Sequence, residues 1–517
     1  MRRVVVASTS LLVLLGGAVV VSYLLLFSAV TDRASRAVPA DTALYLNVYL
    51  QPSTGQQMNL MGLIGKLQGF GDPAALEGKI DEVAQRLLGE AGIDYVADLR
   101  PWLGAQIAFA AAPGDTGPTP GELLLVAVKD PAAAREAVPR LFAGLEVSLK
   151  ADVFRGRDVM LSDGTSYALL NDLLIVANTP DRLRAALEAD ADVAPALADS
   201  PAFAAAMRDV PADHLASVYL DVPRALGLTE MGQIGGFGTA GLAITADADG
   251  LHLGGIARFE ADSASEAARA AFALGRQTSS LGDWMPLDTR LEAVLFGVAQ
   301  SFEDLEASLA AEDAFAPAAD ALNQLRGIAS LGLGINLDRD LLPLLDGEVG
   351  VALRELDLDG PHGQLLLRPS DPEAAQDALA RMRSSLADRG ARVTTDQVSG
   401  TSLTTLAIPQ IGTIAFAVVD GVVVVGLDAD DVAAALRAHA AGETVGGSQR
   451  YRTAFVLAGG RAGNEIWADV PSGVDALAGI FDPGSELRDI LHQIGELAIS
   501  ATATDDRLEI DGVLTVK

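Results

Sequence analysis

The side chains able to do chemistry are few and scattered. Five histidines occur in 517 residues: His214, His252, His362, His439 and His492. No two are spaced for a helix-borne metal pair, and none has a Glu-x-x-His partner. The chain has no cysteine, which excludes thiolate nucleophiles, disulfides and sulfur-ligated metals. There is no Gly-x-Ser-x-Gly elbow and no Gly-Lys-Ser/Thr phosphate loop. Gly236-Phe-Gly238-Thr-Ala-Gly241 spells GxGxxG, but a strand pattern follows it where a helix should open, so it reads as a link before a hairpin. Carboxylates remain. Asp428, Asp430 and Asp431 cluster, and Asp247 and Asp249 share a turn. Ca²⁺ prefers such oxygens, yet the 12-residue loop of an EF-hand is missing. Asp430 falls at a helix start, as Asp181 does, where a carboxylate is explained by capping and by the helix dipole. Asp221 and Asp469, each in an Asp-Val-Pro, read as strand-end structure, and Trp102 and Trp467 as core. No residue is therefore assigned to catalysis, to a cofactor or to a metal, and the chain is expected not to be an enzyme.

The elements that carry these residues come in two matching sets. Gly92-IDYVADLRPWLGAQIAF-Ala110 aligns without gaps on Gly334-INLDRDLLPLLDGEVGV-Ala352. Asp130-PAAAREAVPRL then matches Asp371-PEAAQDALARM, Asn171-DLLIVANTPDRLRAALEA matches Asp420-GVVVVGLDADDVAAALRA, and Tyr219-LDVP matches Trp467-ADVP. Four blocks in the same order point to domain duplication, since the period is far above that of a solenoid. The expected layout is an anchor over 1–31, a first unit over 38–261, a helical connector over 262–280 and a second unit over 281–517.

Within each unit an opening strand (Thr42-ALYLNVYL or Thr289-RLEAVLFGVA) precedes helical patterns over Leu76–Leu88 or Phe302–Leu325. Two strands follow, then a helix begun by Asp130-Pro131 or Asp371-Pro372, where Asp caps and Pro loses no hydrogen bond. Asp420-Gly421 between two apolar runs signals a hairpin, and Asn171-Asp172 takes its place in the first unit. Runs so continuously apolar suit strands covered on both faces. Strands outnumber crossover helices, so the expected class is α+β with mostly antiparallel sheets and packed helices.

Val4 to Thr31 contains no charged residue and follows Arg2 and Arg3. That length suits a membrane-spanning helix and is about twice the h-region of a signal peptide. Positive charge before the segment places the N-terminus in the cytoplasm and the rest outside it. The net charge of −32 repels nucleic acid and anionic headgroups.

Val38-PADTALYLNVYLQP and Gly92-IDYVADLRPWLGAQIAFA resemble the bacterial envelope family known as domain of unknown function 3352. That resemblance implies one N-terminal transmembrane segment, an opening strand after Pro-x-Asp-Thr, and an Asp-x-x-Pro-Trp-x-Gly turn matched by Asp98, Pro101, Trp102 and Gly104. In the second copy Leu344 stands for Trp102 and Asp346 for Gly104. It implies no activity. The expected role is a membrane-tethered extracytoplasmic binding or scaffold module for an envelope protein or lipid; the alternative is a carrier or sensor of an apolar ligand such as a lipid.

Overall fold

A computed structural model describes residues 32–67, 78, 81–82, 84–85, 88, 93–113, 120–144, 148–162, 164–225, 236–311, 316–357, 360–477, 488–489 and 491–517. The expected anchor lies outside these residues, as does most of the helix expected over Leu76–Leu88. Among the described residues no helix is long and apolar enough to cross a membrane. The chain divides into two compact units, Met1–Glu230 with Gly238–Arg258, and Met231–Phe237 with Phe259–Lys517.

In the first unit the strands are β1 (Leu44–Tyr49), β2 (Leu103–Ala112), β3 (Gly121–Val128), β4 (Lys150–Phe154), β5 (Arg157–Leu161), β6 (Ser166–Leu169), β7 (Leu173–Ala177), β8 (Ala216–Asp221), β9 (Phe237–Ala246) and β10 (Gly250–Phe259). They hydrogen-bond in the order β10-β9-β8-β1-β2-β3-β7-β6-β5-β4. The second unit holds β11 (Leu291–Phe296), β12 (Glu348–Asp357), β13 (Gly360–Arg368), β14 (Arg392–Val398), β15 (Thr401–Ile408), β16 (Gly412–Val419), β17 (Val422–Gly426), β18 (Asn464–Asp469), β19 (Ile494–Ala503) and β20 (Arg507–Val516). Their order is β20-β19-β18-β11-β12-β13-β17-β16-β15-β14, with antiparallel ladders. The expected mix of helices and antiparallel sheet is thus present, with the same ladder order in both units.

The apolar runs are strands buried on both faces. In β3, Leu124 and Val126 join a core with Trp102, Ile107 and Val138, whereas Leu123 and Leu125 join another with Tyr45, Ile175, Leu183 and Tyr219. Alternating Cβ directions make this division automatic. In β17, Val422 and Val424 face Leu366 and Leu436, and Val423 faces Val349 and Leu379. Each large side chain buried this way contributes roughly 1.5–3 kcal/mol.

Local chemistry sets the ends. Asp130 Oδ1 accepts from the amides of Ala132 and Ala133, and Asp371 Oδ1 from those of Glu373 and Ala374, opening helices Pro131–Gly144 and Pro372–Asp388. Asp420 and Gly421 have φ of 50° and 76° between β16 and β17. This is the left-handed pair that a two-residue hairpin turn demands. The recurring Asp98 and Asp340 belong to a reciprocal cap. Asp94 and Asn336 accept from the amides of Ala97 and Arg339. Asp98 and Asp340 accept in return from the amides of Asp94 and Asn336.

Two local expectations change. The helical pattern over 302–325 is two helices, Val298–Ala311 and Ala316–Ile328, with residues 312–315 between them outside the described set. Strands β4, β5, β14 and β15 have no apolar run to announce them. β14 is exposed at all but one position, and the ladder rather than burial makes it a strand.

Candidate cation-binding site in the second unit

β13 and β17 pair antiparallel with Gln364 opposite Gly426. Continuing that register by two residues brings His362 opposite Asp428. Asp428 is the N-cap of helix Ala429–Ala441, its Oδ1 accepting from the Asp431 amide at 2.8 Å. Asp428 Oδ2 is left pointing to the imidazole, 3.7 Å from His362 Nδ1. Asp431, one turn in, folds back to the same place. One ligand atom from each of His362, Asp428 and Asp431 lies within 4.8 Å of the other two.

Asp431 is the unusual member. It is 2% exposed, and its Oδ2 has no hydrogen-bond partner. Its Oδ1 has a long contact, 3.4 Å, to Arg354 Nη1, and the Gly363 amide also bonds to the carboxylate. That guanidinium is already held by Asp288, which accepts from Arg354 Nε at 3.0 Å and from Nη2 at 2.5 Å. Burial pushes the Asp431 carboxyl above the usual range and Asp428 adds to the push, while the Gly363 amide, Arg354 and His362 pull it back. The close approach depends on Gly426, where a Cβ would meet Asp431 Cβ at 3.0 Å. The Gln364 amide donates to Asp431 O at 2.8 Å and ties helix to strand.

The first unit has the same frame without these ligands. β3 and β7 pair with Leu123 opposite Ala177, which brings Gly121 opposite Thr179. Thr179 caps helix Pro180–Asp190, and Arg182 stands where Asp431 stands in its helix. Arg182 donates to both oxygens of Asp41, at 2.7 and 2.9 Å, and to Thr42. Its charge is satisfied.

Two other polar groupings lie in the second unit. Glu292 on β11 and Glu465 on β18 are each 0% exposed. The Tyr451 hydroxyl lies 2.9 Å from Glu292 Oε1 and 3.5 Å from Glu465 Oε2. Arg461 donates to Glu465 Oε2 through Nε at 3.1 Å and Nη2 at 3.0 Å. Burial pushes the Glu292 carboxyl up to about 8, against the pull of the Tyr451 hydrogen bond, and also raises Glu465. Tyr45, Phe203 and Tyr219 occupy the equivalent face in the first unit, packed edge to face. Separately, a cleft of about 430 Å³ opens between helix Val298–Ala311 and residues 338–346, lined by Glu303, Glu306, Asp338 and Asp346. Arg326 pairs with Glu306 and Asp338.

The residues weighed from sequence fall out as follows. Among Asp428, Asp430 and Asp431 the cap is Asp428; Asp430 is exposed on the first turn. Asp428 precedes the first helical residue, so its side chain reaches the free amides, whereas that of Asp430 is carried outward. Asp247 closes its turn on the amides of Asp249 and Gly250. Asp221 and Asp469 end β8 and β18, with Asp221 accepting from the Arg224 amide and Asp469 bound to Arg450 and Ser472. Trp102 and Trp467 are buried core. The GxGxxG segment is not a link but part of the hairpin itself: all of it after Gly236 lies within β9, where Gly241 keeps the extended backbone clear of a packed side chain. His362 carried no signal, because its partners are 66 and 69 residues away and only the β13–β17 pairing joins them.

Comparisons with known proteins add one firm point. No curated protein matches the chain. A solved structure titled "Structure of crystal form I of TP0453" aligns at 10% identity over 46% of this chain and 82% of that one, with a TM-score of 0.26. A likeness that weak carries no argument. The family model described as "Protein of unknown function (DUF3352)" matches residues 4–514. With nearly its whole length matched, the chain belongs to the DUF3352 family.

Proposed function

We propose that the protein is a single-pass, membrane-anchored module whose body lies outside the cytoplasm and binds a basic envelope partner without catalysing a reaction. The observation that carries this reading is the charge-free stretch from Val4 to Thr31 behind Arg2 and Arg3. At 1.5 Å per residue it exceeds the roughly 30 Å of hydrocarbon a helix must cross. Two supports bear on the partner. The net charge of −32 opposes anionic lipid surfaces and favours basic ones. The cleft beside Glu303 and Asp346, with Glu306 and Asp338 paired to Arg326, has a polar lining, which weighs against the lipid-carrier alternative.

We also infer that the body arose by duplication. The four sequence blocks, the shared ladder order and the matching registers support this: Leu44 opposes Ala111 and Leu291 opposes Leu353, and the block-one offset that carries Gly92 onto Gly334 also carries Ala111 onto Leu353. A duplicated scaffold is a natural frame for binding, because one copy can diverge while the other holds the fold. Membrane fractionation with an alkaline wash, together with a topology reporter fused at the C-terminus, tests the anchor. Retention in the membrane pellet with an active extracytoplasmic reporter is expected, and protein free in the cytosolic fraction would overturn the reading.

A further inference from the structure

We propose that His362, Asp428 and Asp431 form a binding site for a divalent transition-metal cation of the Zn²⁺ class. The donor set is one imidazole nitrogen and two carboxylate oxygens, all within 4.8 Å of one another. His362 Nδ1 and Asp428 Oδ2, 3.7 Å apart, already have the spacing of two ligands on one ion bound at about 2.0–2.2 Å, and small side-chain rotations would bring in Asp431. A mixed nitrogen and oxygen set favours Zn²⁺ and its neighbours over Ca²⁺ or Mg²⁺, which take mostly or only oxygen. Three protein ligands fill three corners of a tetrahedron and leave the fourth to solvent.

The independent observation is the buried, unpartnered oxygen. Asp431 is 98% buried with Oδ2 lacking a hydrogen-bond partner, and a buried carboxylate oxygen left without a partner is costly. Arg354 does not remove that cost. Its Nε and Nη2 are engaged by Asp288, and only Nη1 reaches Asp431, at 3.4 Å. Around the site the carboxylates of Asp288, Asp428 and Asp431 face the one guanidinium of Arg354, so acidic groups are in excess. A divalent cation offsets that excess.

The first unit supplies the contrast. Its three equivalent positions are Gly121, Thr179 and Arg182, none of which suits a metal, and Arg182 neutralises Asp41 directly. All three positions hold ligands in the second unit. A change at one would be a neutral drift; a concerted change at three, converging on one point, is what a site requires. The inference does not depend on membrane anchorage, so the two readings fail separately.

The experiment titrates the full-length protein in detergent, stripped of metal with a chelator, with Zn²⁺ by calorimetry and with Co²⁺ by visible absorption. One saturable equivalent and a tetrahedral Co²⁺ spectrum are expected. His362→Ala, a replacement at a half-exposed site with the fold checked by circular dichroism, should weaken binding by at least the roughly 10–100-fold that losing even an outer-shell partner costs. Asp431→Asn should weaken it as well, and Asp430→Asn, beside the site on an exposed face, should leave it unchanged. The proposal is overturned by the absence of saturable binding, by binding indifferent to His362→Ala, or by an equal loss with Asp430→Asn, which would mark diffuse attraction to an acidic surface.

Discussion

At the scale of single residues, the core of the second unit stores an acid. Glu292 is fully buried and its carboxyl is pushed from 4.5 up to about 8. The folded protein therefore keeps a proton that the unfolded chain releases. Stability from this group is complete below about pH 4.5 and declines as pH rises toward 8, by at most about 1.4 kcal/mol per pH unit. We expect the thermal midpoint to drop between about pH 5 and 8, and Glu292→Gln to flatten that drop and to raise the midpoint at the alkaline end. Identical pH profiles for the two proteins would remove Glu292 as the cause. The reciprocal caps allow a second comparison. Asp98 is half-buried, whereas Asp340 is 1% exposed and also bonds Arg339 and Arg381. Asp98→Ala should cost about 1 kcal/mol in chemical denaturation, a typical cap loss. Asp340→Ala should cost about 2–3 kcal/mol, because it also removes hydrogen bonds to two charged groups.

Single elements behave much as their residues dictate. Asp420-Gly421 makes the turn its type demands, and nothing lies within 4 Å of a Cβ placed on Gly421. Gly421→Ala should therefore cost only the backbone strain of a left-handed residue, about 1–2 kcal/mol, read as a lower denaturation midpoint with an unchanged slope. A loss well above that range would imply a packing role that the open space around Gly421 denies. The helix caps at Asp130 and Asp371 were equally legible, as was the two-faced burial of β3 and β17. The polar meander strands were not. β14 carries no apolar run because its side chains meet water, β15 buries only Leu403, Thr404 and Leu406, and what orders them is the ladder in which β14 pairs with β15 and β15 with β16. The cap of helix Ala429–Ala441 was misplaced by two residues for a related reason: three aspartates within four positions offer similar capping chemistry, and backbone geometry chooses among them.

For the whole molecule, the proposed anchoring role of residues 1–31 has the largest consequence. Deleting residues 1–31 should move the protein from the membrane pellet to the soluble fraction. A truncated protein that stayed in the pellet after an alkaline wash would mean that the body itself binds lipid, against its charge of −32.

What the sequence determined by itself is what depends on neighbours along the chain: the charge-free N-terminal run, the missing thiols, the caps, the Asp-Gly turn and the apolar strands. These follow from local sterics, dipoles and side-chain period. Tertiary structure alone decided which distant groups share a space. Glu292 and Glu465 meet because β11 pairs with β18, and His362 meets Asp428 and Asp431 because β13 pairs with β17 across an intervening helix and three strands. Such meetings arise from strand register over long loops, and no spacing within the sequence encodes them, because the physical distance is set by hydrogen bonds between strands and not by the chain that connects them.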